Sequence, residues 1–79
     1  MADIEATAEG ESQLIDCHLT ELLGDRGMTL SRLSELVDVS IVNLSILKNN
    51  KARAIRFSTL RAICQALECE PGDLLTIRR

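Results

Sequence analysis

The residues with the clearest chemical potential are cationic and clustered. Residues 39–67 hold five bases (Lys48, Lys51, Arg53, Arg56 and Arg61) and no acid, while residues 1–25 hold seven acids and no Lys or Arg. The formal net charge is −3. A local basic run, rather than the whole-chain balance, is what neutralises the phosphates of a polyanion. Other candidates for chemistry are weaker. Cys17, Cys64 and Cys69 form no C-x-x-C pair, and His18 is the sole histidine. Neither the Cys17–His18 adjacency nor the spacing of Cys64 and Cys69 suits a closed zinc site. The thiols are expected to be small buried hydrophobes of a cytosolic chain. No Gly-rich phosphate loop and no paired carboxylates of a pocket are visible, so neither an enzyme nor a metal or cofactor is expected.

The basic run begins inside a stretch that helices must position, LSRLSELVDVSIVNLSILKN from Leu30 to Asn49. Leu30, Leu33, Ser34 and Val37 fall at i, i+3, i+4 and i+7, the stripe of a helix buried on one side. Asp38 then tolerates the left-handed backbone of a sharp turn, and Ser40 is a favoured N-cap. The spacing predicts a second helix over 41–48, with Leu44 and Leu47 inward. A 100° advance per residue places Val42, Ser45, Ile46 and Asn49 on the opposite arc, with Ile41 and Asn43 flanking the helix start. A helix whose first turn and outer arc are open, braced by the helix before it, is the arrangement that enters a DNA major groove.

This stretch resembles the helix-turn-helix of the phage repressor and Cro class, the Xre-type family. It is especially similar to a small bacterial subfamily of one-domain regulators, through NLSILKNNKARAIRFSTL and ALECEPGDLL. The resemblance implies an all-α fold, a five-helix lambda-repressor-like DNA-binding domain. In relatives the chain ends pair as a short antiparallel strand, which would set Ile15–Cys17 beside residues 76–78. The implied activity is that of a sequence-specific transcription regulator acting on double-stranded DNA in the cytoplasm. A homodimer would present two copies of the second helix to major grooves about 34 Å apart, on a near-palindromic operator. Asn43, Ser45 and Asn49 would hydrogen-bond base edges, while Ile41, Val42 and Ile46 offer only van der Waals contact, suited to thymine methyls. Ser40, Lys51, Arg53 and Arg56, with Arg32 on the preceding helix, are the phosphate-contact candidates. The sequence departs from the family pattern in three places. Ser34 stands where alanine is usual, Asp38 where glycine is usual, and Ile41 and Val42 where many phage-type members carry Gln, Arg or Asn. The two aliphatics keep a second reading open: a helix-turn-helix-fold interaction module, or an antitoxin-like protein, that binds a protein partner through Ile41, Val42 and Ile46.

The rest of the chain frames these elements. Seventy-nine residues allow one domain, and a domain of that size buries only roughly 60% of its unfolded surface. Oligomerisation would reinforce so thin a core. With 46% hydrophobic residues and Phe57 the single aromatic, the core must be Leu, Ile and Val, which suits a helical bundle. No apolar run reaches the 18 or so residues of a membrane helix, and no signal peptide is visible. Residues 1–12, MADIEATAEGES, are acidic, small and without period. They are expected to be a disordered tail that competes with DNA for Lys51, Arg53 and Arg56, and the folded domain is expected to span 13–79. Residues 18–26 read as the first helix, with Leu19, Leu22 and Leu23 inward, His18 capping it and Gly27 stopping it. Asn50 suits the left-handed position after the 41–48 helix, and residues 51–56 read as a basic loop. A fourth helix over 57–67 would turn Phe57, Leu60, Ile63, Cys64 and Leu67 inward. Pro71 opens a short fifth helix. Leu74, Leu75 and Ile77 form a last apolar patch and are the dimer-contact candidates.

Overall fold

Helix ends leave backbone groups unpaired, and the way this chain closes them sets its architecture. The computed structural model describes residues 3–6 and 14–78. Its elements are β1 (Ile4–Ala6), β2 (Ile15–Cys17), α1 (Leu19–Arg26), α2 (Leu30–Val37), α3 (Ile41–Lys48), β3 (Ala52–Ile55), α4 (Phe57–Leu67), α5 (Pro71–Leu74) and β4 (Leu75–Ile77). Thr29 Oγ1 accepts the Arg32 N–H at 3.0 Å to start α2, and Ser40 Oγ accepts the Asn43 N–H at 3.1 Å to start α3. Four helices stop on a left-handed residue, and three of them close alike: Gly27 (φ 60°) after α1, Asn50 (φ 61°) after α3 and Glu68 (φ 52°) after α4. Each donates its N–H to a carbonyl in the last turn, to Gly24, Leu47 and Gln65 respectively, while Met28, Lys51 and Cys69 donate to Leu23, Ile46 and Cys64. This is the Schellman closure, in which the residue beyond the cap also packs on the last turn. At the end of α4 it sets Cys69 beside Cys64.

α2 stops at Asp38 (φ 56°), as its residue type suggests. Ser34 Oγ donates to the Val39 carbonyl at 2.6 Å, which fastens the turn and accounts for serine where alanine is usual. The helices enclose an aliphatic core that includes Leu19, Leu33, Leu44, Ile63, Leu67 and Leu74, all fully buried, with Val39 of the turn also inside. Arg26 joins α1 to the end of α4: its Nε donates to the Leu67 carbonyl at 2.6 Å and its Nη2 to the Glu68 carbonyl at 3.1 Å. A guanidinium there satisfies open carbonyls and opposes the negative helix end.

Four expectations require correction. The fold is not purely helical, because two small antiparallel sheets, β1–β3 and β2–β4, accompany the five helices. The chain ends do pair, as Ile15 with Ile77, Asp16 with Thr76 and Cys17 with Leu75. The other sheet lay outside the sequence reading. Residues 52–55 form a strand rather than a basic loop, and their partner is Ile4–Ala6, within the stretch expected to be a disordered tail. The remainder of that stretch, residues 1, 2 and 7–12, lies outside the described residues, as do residues 13 and 79. A three-residue strand carries too little period to be visible, and the one clue was Ile4, a lone large apolar residue that proves 2% exposed.

Phe57 is the third correction, being 86% exposed. Thr59, not Phe57, leads the buried side of α4, because its hydroxyl donates to the Asp3 carboxylate at 3.1 Å. That rotation leaves the first helical residue beyond the core. Finally, His18 makes no side-chain cap on α1. Its ring bridges instead, Nδ1 to Glu21 Oε2 at 2.9 Å and Nε2 to Thr76 Oγ1 at 2.7 Å, and so ties α1 to β4.

Candidate nucleic-acid interface

α3 is fixed from one side and open on the other. Leu44 and Leu47 are 0% and 3% exposed, whereas Ile41 and Val42 of the first turn are 45% and 70% exposed. Apolar side chains on α3 therefore serve two purposes, and position alone separates them. Asn49 is exposed, and Asn43 and Ser45 are half-buried. Ser40 spends a lone pair on the Asn43 N–H, but its hydroxyl proton stays available to donate. Ile46 departs from its assigned place on the outer arc. It is half-buried and packs against the core, beside an α3 surface that β1 also contacts.

The cationic candidates lie before and after this helix in the chain. Lys51 is exposed directly after the left-handed Asn50, and Arg53 and Arg56 are exposed on and just after β3. Arg53 Nε lies 3.5 Å from Glu5 Oε1, and Arg56 Nη1 lies 3.6 Å from Asp3 Oδ1. Arg32 on α2 is solvent-facing and loosely paired with Glu35 at 3.9 Å. Exposed pairs at such distances hold their partners weakly, so all four guanidinium or ammonium groups remain able to meet a phosphate. Among the described residues, neither Lys48 nor Lys51 makes an ion pair within 4 Å.

Two residues with structural roles in this region were underestimated from sequence. Asn50 Oδ1 accepts the Cys17 N–H at 2.6 Å, which joins the end of α3 to β2. Asp3 accepts the Arg56 N–H on its carbonyl at 2.9 Å and places its carboxylate at the start of α4, which has no side-chain cap of its own. Of the dimer-contact candidates, Leu74 is excluded because it is 0% exposed in the core. Leu75 is half-buried, and Ile77 is 62% exposed with Leu14 and Ile15 also exposed nearby on β2 and its approach.

Cys17 and Cys64 are poor nucleophiles. Burial, followed by the nearby Glu21 carboxylate, outweighs a hydrogen bond from the Leu19 backbone and pushes Cys17 from the ordinary 9.0 up to about 11. Cys64 also rises to about 11, through burial and the adjoining Cys69. Among the described residues no group of three His, Cys, Asp or Glu side chains is placed to hold a metal ion. No helix there is long and apolar enough to cross a membrane.

A two-helix unit whose capped second helix turns its first turn outward has the arrangement of a helix-turn-helix DNA-binding domain. Residues 18–78 match the Cro/C1-type HTH DNA-binding domain, and the chain belongs to that family. It is 60% identical over 57 residues to the HTH-type transcriptional regulator YozG of Bacillus subtilis (strain 168), itself uncharacterised, covering 72% of this chain and 68% of that one. It is also similar to the crystal structure of the transcriptional regulator VanUg, with a TM-score of 0.69 and 29% identity over 90% of this chain and 93% of that one. The chain is a DNA-binding transcription regulator.

Proposed function

We propose that the chain acts in the cytoplasm as a homodimer that binds a near-palindromic operator, with α3 of each copy in the major groove. The observation that carries this reading is the contrast along α3 between buried Leu44 and Leu47 and exposed Ile41 and Val42. Ile41 and Val42 contact thymine methyls, and Asn43, Ser45 and Asn49 supply the hydrogen bonds to base edges. Ser40, Lys51, Arg53, Arg56 and Arg32 hold phosphates and set the register. The homodimer reading draws on the exposed apolar side chains of Leu14, Ile15 and Ile77, beside the half-buried Leu75. The competing reading, a protein-binding face made by Ile41, Val42 and Ile46, loses support from the partial burial of Ile46.

Fluorescence anisotropy of a labelled duplex at two salt concentrations tests the DNA reading. Four cationic phosphate contacts from each copy, eight in the dimer, give a slope of log K against log salt of about −7, and a slope near zero removes the proposal. Val42→Glu places a carboxylate against the groove and is expected to weaken binding at least about tenfold. Sedimentation at micromolar concentration tests the dimer: Ile77→Glu is expected to yield monomer, and a wild-type monomer at that concentration ends the homodimer reading.

A further inference from the structure

We propose that β1 is a built-in competitor for the DNA backbone, whose Asp3 and Glu5 carboxylates occupy on Arg56 and Arg53 the places of two phosphates. The inference rests on the proposed phosphate role of those two arginines. β1 runs antiparallel to β3, with Ile4 opposite Ile55 and Glu5 opposite Ala54. That register brings Glu5 to Arg53 and Asp3 to Arg56.

Two features make this a competition rather than a permanent neutralisation. The strand is held by groups other than the ion pairs: Ile4 is 2% exposed, the Asp3 carbonyl accepts the Arg56 N–H, and Thr59 donates to the Asp3 carboxylate. The carboxylates therefore stay beside the arginines whether or not they are paired. The pairs themselves are open, with 54% of the Arg53 side chain and 50% of the Arg56 side chain exposed. At 3.5 and 3.6 Å they are weak enough for a phosphate to displace. A phosphate that does so meets a carboxylate well within a Debye length of about 8 Å at physiological salt, and is repelled. The residues matched to the family domain begin at 18, so β1 lies outside that match. Because phosphates carry no sequence information, the expected consequence is a sequence-independent reduction in DNA affinity.

The test uses the full chain and a labelled duplex of random sequence. Glu5→Gln removes the carboxylate that lies 3.5 Å from Arg53 Nε, and thermal melting confirms that the variant is folded. It is expected to bind about three- to fivefold more tightly than wild type at low salt, with the gain vanishing near 0.5 M salt. In an Arg53→Ala background the same change is expected to give no gain. A folded Glu5→Gln variant that binds no better than wild type overturns the proposal while leaving the DNA reading intact, provided Arg53→Ala weakens binding. A gain of equal size in the Arg53→Ala background also overturns it, since a general charge effect then suffices. Absence of binding by every variant at low salt removes the DNA reading and this proposal together.

Discussion

The sheets β1–β3 and β2–β4 are both two-stranded and antiparallel, yet different forces hold them. In β2–β4 the register is unbroken and the polar contacts are short. Arg78 reaches Asp16 at 2.6 and 2.8 Å, the Arg78 N–H meets the Leu14 carbonyl at 2.7 Å, and the His18 N–H meets the Leu74 carbonyl at 2.8 Å. In β1–β3 the register shifts between Glu5 and Ala6, and the ion pairs are longer, but Ile4 is buried. One sheet closes the chain ends by directional bonds at the surface. The other rests on Ile4 in the core, with Asp3 bonded to the Arg56 N–H and the Thr59 hydroxyl. The ion pairs of β1 are then not what secures it, which leaves its carboxylates able to compete.

The strongest way to break this comparison is Ile4→Ala. It is expected to cost about 2–4 kcal/mol in urea unfolding, as other large-to-small core changes do, whereas Ile77→Ala at the exposed end of β4 should cost under about 0.5 kcal/mol. Equal effects at the two positions would refute the distinction. Next in size is Asn50, which links α3 to β2. Asn50→Ala loses the bond to the Cys17 N–H and a residue tolerant of positive φ, for about 1–3 kcal/mol. Asn50→Gly should recover the backbone share and leave the Cys17 N–H to water, so it falls between wild type and Asn50→Ala.

Arg78→Ala sharpens the comparison from the surface side. Its pair with Asp16 is short but about half-exposed, so a loss of at most about 1 kcal/mol is expected, shrinking at high salt. Glu68 lies outside both sheets and gives a reference of opposite sign. Replacing this left-handed residue with glycine should raise stability by about 0.5–1 kcal/mol, measured by chemical denaturation.

The smallest effect at neutral pH concerns the thiol in β2. Cys17 is protonated in the fold up to about 11 and its ordinary value is 9.0. Above 9 the unfolded chain therefore binds fewer protons than the native one, and stability falls as pH rises from about 9 toward 11. Cys64 adds to the decline in the same window. Urea melts at neutral and alkaline pH should show a shallower decline in Cys17→Ala, and an unchanged decline would refute the assignment to this thiol.

Legibility followed the range of the interactions. The bounds of α3, the Ser40 cap, the left-handed Asp38 and Asn50, and the inward Leu44 and Leu47 were all readable, because each depends on neighbours within one or two turns. The outer arc was readable only where nothing distant covers it: Val42 was placed correctly in solvent, and Ile46 was not. Leu74 looked like surface because the sequence shows no partner for a short C-terminal helix, yet it closes the core. Phe57 shared the apolar spacing of α4 but yielded the buried position to Thr59, whose partner Asp3 lies 56 residues away in sequence.

The sequence by itself determined the helix-turn-helix, its caps and the cationic run behind it, since local backbone preference and a 3.6-residue period need no distant partner. Tertiary structure alone decided that an acidic segment becomes a strand, and which arginines it meets. A three-residue strand has no stability of its own and forms only when a core site for Ile4 and an open edge on β3 are already in place.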